Sequence, residues 1–170
     1  MQAESALGRV GWVLLLTIAH AVIAGLLVLA GRAMPADLLT YTAYFRADAD
    51  LFLYDLNRAQ RFNLTRNPTY EGGGYWSPDG RQITYSAHPA DQPENNDIVV
   101  RGPDQASTPI VVARSEANEI YPVFSPDGRY IAYASNQTGY YDIFILDRET
   151  NTTYQLTSTV EEDYPGSWAP

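Results

Sequence analysis

The chain has 170 residues, of which 45% are hydrophobic, 18% are charged and none is cysteine. This composition is typical of a single folded domain of about 100–200 residues, and the lack of cysteine excludes disulfides, thiolate zinc sites and cysteine nucleophiles. Eleven arginines against 20 acidic residues give a net charge of −9, which argues against nucleic acid as a partner. Two histidines, His20 and His88, are too few for most imidazole metal sites, so we expect no metal.

The N-terminal segment is predicted to cross a membrane once. No charged residue interrupts the apolar run over residues 10–30, and a helix of that length, about 31 Å, matches the hydrocarbon core of a bilayer. The predicted segments are a cytoplasmic N-terminus (1–9), a transmembrane signal-anchor helix (10–31), a linker (32–39) and an exported domain (40–170).

A cleaved signal peptide is the alternative interpretation of this segment, with its cleavage site at residues 33–36. Such signals have apolar regions of only about 7–15 residues, so the longer run favours an uncleaved anchor. Arginines flank both ends of the run, and the positive-inside rule therefore does not set the orientation. The short N-terminus and the large C-terminal domain favour a cytoplasmic N-terminus in the inner membrane, with the domain in the periplasm or outside the cell.

His20 lies at the centre of the predicted span. A titratable side chain is costly there, which indicates a function or a partner helix. Three interpretations stay open: a helix–helix contact beside the small residues Ala21 and Gly25, ligation of a pigment or haem, and an incidental role. No cofactor is required by any other part of the sequence.

Past the linker the sequence repeats itself. The segment 76–86, which begins Trp-Ser-Pro-Asp-Gly-Arg, recurs as residues 124–134, and Trp168-Ala169-Pro170 begins a further copy. Segments 50–55, 97–101 and 142–147 are likewise versions of one apolar strand that begins with Asp. Self-similarity at this spacing is typical of propeller architectures, in which neighbouring sheets bury each other's faces.

Local chemistry predicts a hairpin turn in each Ser-Pro-Asp-Gly segment. Proline presets φ near −65°, Asp tolerates the next position, and Gly takes the positive φ that closes the turn with a bulge. The residues predicted to form these structural turns are Pro78, Asp79, Gly80, Pro126, Asp127 and Gly128.

These motifs resemble the TolB-like β-propeller repeat family, a WD-like group whose repeats carry an aromatic residue, Ser-Pro-Asp-Gly-Arg and then Ile-Ala-Tyr, Asp-Ile-Tyr and Leu-Thr strands. The resemblance covers about residues 40–170 and implies an all-β, partial propeller of about three blades behind the transmembrane helix, with blades at 40–75, 76–123 and 124–167 and a new blade starting at 168–170. Similar repeats occur in prolyl oligopeptidases and dipeptidyl peptidases. The sequence has no Gly-x-Ser-x-Gly motif, so we expect no enzyme.

Three blades depart from the family pattern, because propellers close with about 4–8 blades. The first blade lacks its first strand, and residues 167–170 are predicted to supply a lone first strand. Four alternatives follow: a fragment of a longer propeller protein or propeller-bearing peptidase, a homodimer that completes a six-blade ring, an open arc docked on a partner, and a last strand folded back on the first blade.

The connectors that lead into each first strand are the predicted partner-binding region. They share acidic residues and tyrosines, and in a propeller they cluster at one mouth of the channel, where they would bind a basic protein segment or a cation. Packing between blades is the competing interpretation of the same residues. The predicted partner-binding residues are Tyr70, Glu71, Glu119, Tyr121, Glu162, Asp163 and Tyr164.

The sequence therefore predicts a membrane-anchored, extracytoplasmic interaction or scaffolding module. The alternative is an accessory subunit of a respiratory or photosynthetic membrane complex that uses the helix and His20.

Overall fold

The computed structural model describes residues 37–45, 48–88 and 95–170. The predicted transmembrane helix at 10–31 and His20 lie outside this part of the chain. Within the described residues no helix has the length and apolar character needed to cross a membrane. Residues 37–170 form one compact unit.

The described residues form an all-β unit of three antiparallel sheets in which each strand pairs with the next along the chain. The first sheet contains β1 (Leu38–Phe45), β2 (Asp48–Asp55) and β3 (Gln60–Asn63). The second contains β4 (Glu71–Trp76), β5 (Ile83–Ala87), β6 (Asp97–Arg101) and β7 (Ile110–Ala113). The third contains β8 (Glu119–Phe124), β9 (Tyr130–Ser135), β10 (Asp142–Asp147) and β11 (Thr152–Gln155). The all-β prediction is confirmed.

The two Ser-Pro-Asp-Gly turns have the same hydrogen bonds. Gly80 N donates to Ser77 O, and Gly128 N donates to Ser125 O, each over 2.9 Å. The two glycines have φ values of 67° and 72°, in the left-handed region that favours glycine. The predicted turns therefore form, and they reverse the chain between β4 and β5 and between β8 and β9.

In each turn a second hydrogen bond joins the serine hydroxyl to the aspartate carboxylate and stabilises the turn. Ser77 Oγ donates to Asp79 Oδ1 over 2.6 Å, and this bond is the main reason why the pKa of Asp79 lies below its usual value. The side chain of Ser125 binds Asp127 in the same way, with the same effect on the pKa. The turns are local structures that the tetrapeptide itself specifies.

The core lies between the sheets, in two clusters that share the second sheet. Leu51, Leu53 and Leu64 of the first sheet's segment pack against Ile83, Tyr85 and Val99 of the second. On the other side, Ile98 and Val100 pack against residues of the third sheet that include Phe124 and Ile131. Successive residues of β6 thus bury both faces of the middle sheet, which agrees with the unbroken apolar run Ile98–Val100 at the centre of that strand.

The predicted lone strand at 167–170 is not a strand in the structure. The described residues hold eleven strands, and the segment 156–170 pairs in no sheet. Trp168 instead stacks on Tyr130, with 6.4 Å between ring centroids, and its Nε1 donates to Val123 O over 3.3 Å. A strand forms only beside a partner edge, and here the indole side chain attaches residues 167–170 to the third sheet.

Candidate partner-binding site

The three connectors begin at equivalent places, each hydrogen bonded to the preceding sheet. Glu119 N donates to Asn96 O over 2.9 Å, and Asp163 N donates to Tyr141 O over 2.6 Å. Tyr70 forms a parallel bridge with Ala49. The contacted residues Ala49, Asn96 and Tyr141 lie at or just before the start of β2, β6 and β10. The connectors therefore lie at the same end of successive sheets, and in the second and third sheets this end is opposite the Ser-Pro-Asp-Gly turn.

Glu71 and Glu119 are the acidic residues of the first two connectors, and both are buried, with 1% and 2% of their surface exposed. Glu119 Oε1 accepts hydrogen bonds from Ser115 and Ser135. Glu71 Oε1 accepts from Asn67 over 3.0 Å and from a neighbouring threonine. The second oxygen of each carboxylate has no hydrogen-bond partner. Burial raises the pKa of both groups.

The third connector places Glu162 at the surface and leaves Asp163 half-buried. Glu162 is exposed and accepts a hydrogen bond from the Tyr164 hydroxyl over 2.8 Å. That bond raises the pKa of Tyr164 to about 12. Asp163 accepts from Thr159 Oγ1 over 3.2 Å. Of the predicted acidic residues, Glu162 and Asp163 are therefore the ones placed to meet a partner, whereas Glu71 and Glu119 lie inside the fold.

Tyrosines from all three connectors contact other aromatic rings, and three of those rings, Tyr44, His88 and Tyr141, are not among the predicted partner-binding residues. Tyr164 lies against Tyr121 and Tyr141, with ring centroids 5.6 and 5.5 Å apart. Tyr70 lies against His88 at 5.3 Å and against Tyr44 at 6.3 Å. Burial raises the pKa of Tyr70 to about 12 and raises the pKa of Tyr141, so these hydroxyls stay neutral at physiological pH.

A cavity of about 330 Å³ opens between these rings, and we name it the tyrosine cavity. Aromatic side chains from the first, second and third repeats form its walls, and small residues leave the space between them. Its lining residues are Tyr70, Gly72, Gly73, Ser86, His88, Asn96, Ile120, Tyr121 and Tyr141. The structure thus brings together Tyr70 and Tyr121 of the predicted set, with Tyr164 contacting two rings of the wall.

Metal binding has no support within residues 37–45, 48–88 and 95–170, where no group of three or more His, Asp or Glu side chains is placed to hold an ion. The lining of the tyrosine cavity includes the Ser86 hydroxyl and the His88 imidazole beside its aromatic rings. Its chemistry is that of aromatic faces and hydrogen-bonding groups, which suits binding of a donor-bearing ligand.

Solved TolB structures resemble this arrangement of sheets. Putative TolB from Agrobacterium tumefaciens matches with a TM-score of 0.64 and 25% identity, over 75% of this chain and 45% of that one. TolB from Acinetobacter baumannii matches with a TM-score of 0.65 and 18% identity, over 76% of this chain and 32% of that one. The described residues have a TolB-like β-propeller fold.

The TolB-like fold is shared with a larger enzyme. The tricorn protease matches with a TM-score of 0.55 and 17% identity, over 76% of this chain and 13% of that one. No protein-family model and no curated protein sequence matches the chain. The chain spans less than half the length of either TolB structure, so its likeness to them is a likeness of three sheets and their connectors.

Proposed function

We propose that this chain is a membrane-anchored, extracytoplasmic TolB-like propeller module that binds a basic segment of a protein partner, and that it is not an enzyme. The binding surface, which we name the connector face, consists of the tyrosine cavity with Glu162, Asp163 and Tyr164. The observation that carries the proposal is the meeting of tyrosine rings from three successive repeats beside the acidic residues of the third connector.

Aromatic faces and carboxylates together favour a cationic partner. A cation over a tyrosine ring gains about 0.5–1 kcal/mol at an exposed site and about 2 kcal/mol when desolvated. The net charge of −9 adds a long-range attraction for basic segments. A membrane anchor at residues 10–31 would raise the local concentration of the module near a partner in the same membrane.

Three other functions stay as alternatives. In the first, two copies complete a six-blade ring as a homodimer. In the second, the chain is an accessory subunit of a respiratory or photosynthetic complex that uses the helix and His20. In the third, the chain belongs to a longer propeller protein or a propeller-bearing peptidase. The match to the tricorn protease supports this hypothesis only by similarity of fold.

The experiment is binding of a lysine- and arginine-rich peptide to the full chain in nanodiscs, with the double variant Glu162→Gln, Asp163→Asn. We expect the peptide to bind the parent chain with an affinity that falls as salt rises, and to bind the double variant at least ~3-fold more weakly. The matched control is Glu149→Gln. Glu149 is an exposed carboxylate that pairs with Arg129 over 3.3 Å, and this pair lies away from the connector face. Equal binding by the double variant and the control would contradict the proposal.

Membrane anchoring has its own test. Cells producing the chain are converted to spheroplasts and treated with protease, with a tag at each terminus. We expect the C-terminal tag to be digested and the N-terminal tag to be protected in the membrane fraction. Protection of both tags, or recovery of the chain in the soluble fraction, would contradict the proposed location.

A further inference from the structure

We propose that the tyrosine cavity binds the side chain of a single arginine from the basic partner segment, with the guanidinium plane against the tyrosine rings. This inference rests on the proposed function and deepens it, because it assigns one residue type to one cavity. It stands on two features of the cavity: a strained, half-exposed tyrosine and a nearby exposed carboxylate.

Tyr121 has a backbone conformation that its side chain disfavours. Its φ is 55°, within a β-bulge between Ile120 and Val123 of β8. The equivalent bulge of β4 has glycine, Gly73, with φ 69°. Only glycine adopts positive φ without strain, so Tyr121 is strained in a conformation that the bulge imposes. The third sheet thus places a bulky ring where the second sheet has no side chain.

The ring of Tyr121 does not offset this strain by burial. Half of the residue's surface is exposed (50%), and its ring meets Tyr164 edge to face. Strained residues of this kind persist where they are positioned for a function and cluster at ligand sites. The bulge directs the ring to the wall of the tyrosine cavity, where a ligand would complete its packing.

Guanidinium fits these features better than ammonium. It is planar and weakly hydrated, so it stacks on aromatic faces while its N–H groups donate within its plane. An ammonium group is compact and strongly hydrated, and aromatic faces replace little of its water shell. Glu162, which binds the Tyr164 hydroxyl at the cavity rim, supplies the negative charge that favours either cation.

The test uses the full chain in nanodiscs, labelled with 3-fluorotyrosine and titrated with the acetylated, amidated peptide Gly-Ser-Arg-Ser-Gly. Matched peptides carry lysine or citrulline, the neutral isostere of arginine, in place of the arginine. We expect the arginine peptide to shift the fluorine resonances of Tyr70, Tyr121 and Tyr141. Citrulline should bind ~10-fold more weakly or not at all, and lysine should lie between them.

The decisive variant is Tyr121→Gly, which removes the ring and relieves the positive φ. We expect it to fold with an unfolding temperature equal to or above that of the parent, while its affinity for the arginine peptide falls ~10-fold. Ala59→Gly is the matched control, because Ala59 has φ 50° in an exposed turn away from the cavity. That variant should bind as the parent does. Tyr141→Leu, which changes a side chain without altering backbone strain, serves as the second cavity variant.

Two results would overturn the inference: equal binding of the arginine and citrulline peptides, or unchanged affinity in both Tyr121→Gly and Tyr141→Leu. Neither result by itself contradicts the proposed function, which the longer basic peptide tests. If the longer basic peptide still binds in a manner that depends on Glu162 and Asp163, the connector face is the binding surface and the arginine cavity is wrong. If the acidic variant also binds normally, both are wrong.

Discussion

The second and third sheets have equivalent strand orders, turns and first-strand bulges, and two of the positions at which their residues differ are informative. The turns are equivalent, with Gly80 and Gly128 in the same conformation. The β-bulge holds glycine at position 73 and tyrosine at position 121. The comparison shows that the turns keep the glycine that their conformation favours, whereas the bulge keeps its conformation while its residue changes from glycine to tyrosine.

The second difference is Arg101, which occupies the place of an apolar residue. Arg101 pairs with Ile83 across β5 and β6, whereas Leu146 pairs with Ile131 in the third sheet. Leu146 lies in an apolar cluster. Arg101 is buried, and its guanidinium donates to the carbonyl oxygens of Leu64 and Asp104. The arginine therefore ties the second sheet to the end of the first through main-chain acceptors.

The largest expected effect comes from the two equivalent isoleucines. Ile83 and Ile131 are fully buried in the two clusters, so Ile83→Ala and Ile131→Ala should each lower the free energy of unfolding by about 2–5 kcal/mol. Urea denaturation followed by tryptophan fluorescence measures both. Val160→Ala, at a residue 80% exposed, should change it little. A loss below about 1 kcal/mol at either site would show that its interface is loosely packed.

A smaller loss is expected from Arg101→Leu, which makes the second sheet resemble the third. The carbonyl oxygen of Leu64 is left without its donor, at a cost of about 1–3 kcal/mol. Hydrogen exchange should rise near residues 60–65, at the boundary with the first sheet. Arg81→Leu, on an exposed turn, is the control. A stabilised Arg101→Leu would instead mean that desolvation of the guanidinium outweighs its hydrogen bonds.

The buried acid of the third sheet gives a prediction with a pH dependence. Burial raises the pKa of Glu119 above its usual value of 4.5, so the contribution of this group to stability is fully present below that pH and is lost as the pH rises through the folded-state pKa. Glu119→Gln keeps the acceptor for Ser115 and Ser135 and removes the charge.

The free energy of unfolding of Glu119→Gln should therefore rise relative to the parent between pH 4 and pH 7, by on the order of 1 kcal/mol. Chemical denaturation at both pH values measures this change. A difference that is independent of pH would show that Glu119 has the same pKa in the folded and unfolded chains.

The smallest effect is expected at the glycine of the β4 bulge. An added Cβ at Gly73 has ordinary contact, with Tyr75 at 3.6 Å, so Gly73→Ala tests the positive φ alone. The variant should lose about 1 kcal/mol, opposite in sign to the backbone effect of Tyr121→Gly. Gly166→Ala, at a glycine with open space around it, should lose less. An unchanged Gly73→Ala would remove strain as the reason for comparing the two bulges.

The sequence predicted the sheets well because their signals are local. Ser-Pro-Asp-Gly specifies its own turn, and the alternation that follows it predicts β5 and β9. The strand predicted at 167–170 does not form, because a strand needs a partner edge elsewhere in the fold and a local sequence pattern does not reveal that edge. The predicted anchor at 10–31 stays a prediction.

The candidate site was predicted in part. Tyr70, Tyr121 and Tyr164 belong to the connectors and were found there, whereas Tyr44 and Tyr141 reach the same face from other segments through tertiary packing. A signal for Tyr141 existed in its position just before the repeated Asp of the third strand.

Burial of the connector acids also had a signal that was not used. A polar side chain lies four residues before each acid and donates to it: Asn67 to Glu71, Ser115 to Glu119 and Thr159 to Asp163. A repeated donor of this kind indicates that the carboxylate is bound within its own connector. In the first two repeats the carboxylate is also buried, and it is therefore not available to a partner.

The placement of both apolar clusters on the second sheet has a mechanical consequence. The first and third sheets each pack on that sheet, so a load applied between the two ends of the propeller passes through two interfaces in series. In a force-extension experiment the weaker interface would rupture first and leave the other intact, giving two separate steps. The step that Ile83→Ala weakens and the step that Ile131→Ala weakens would identify which interface is which.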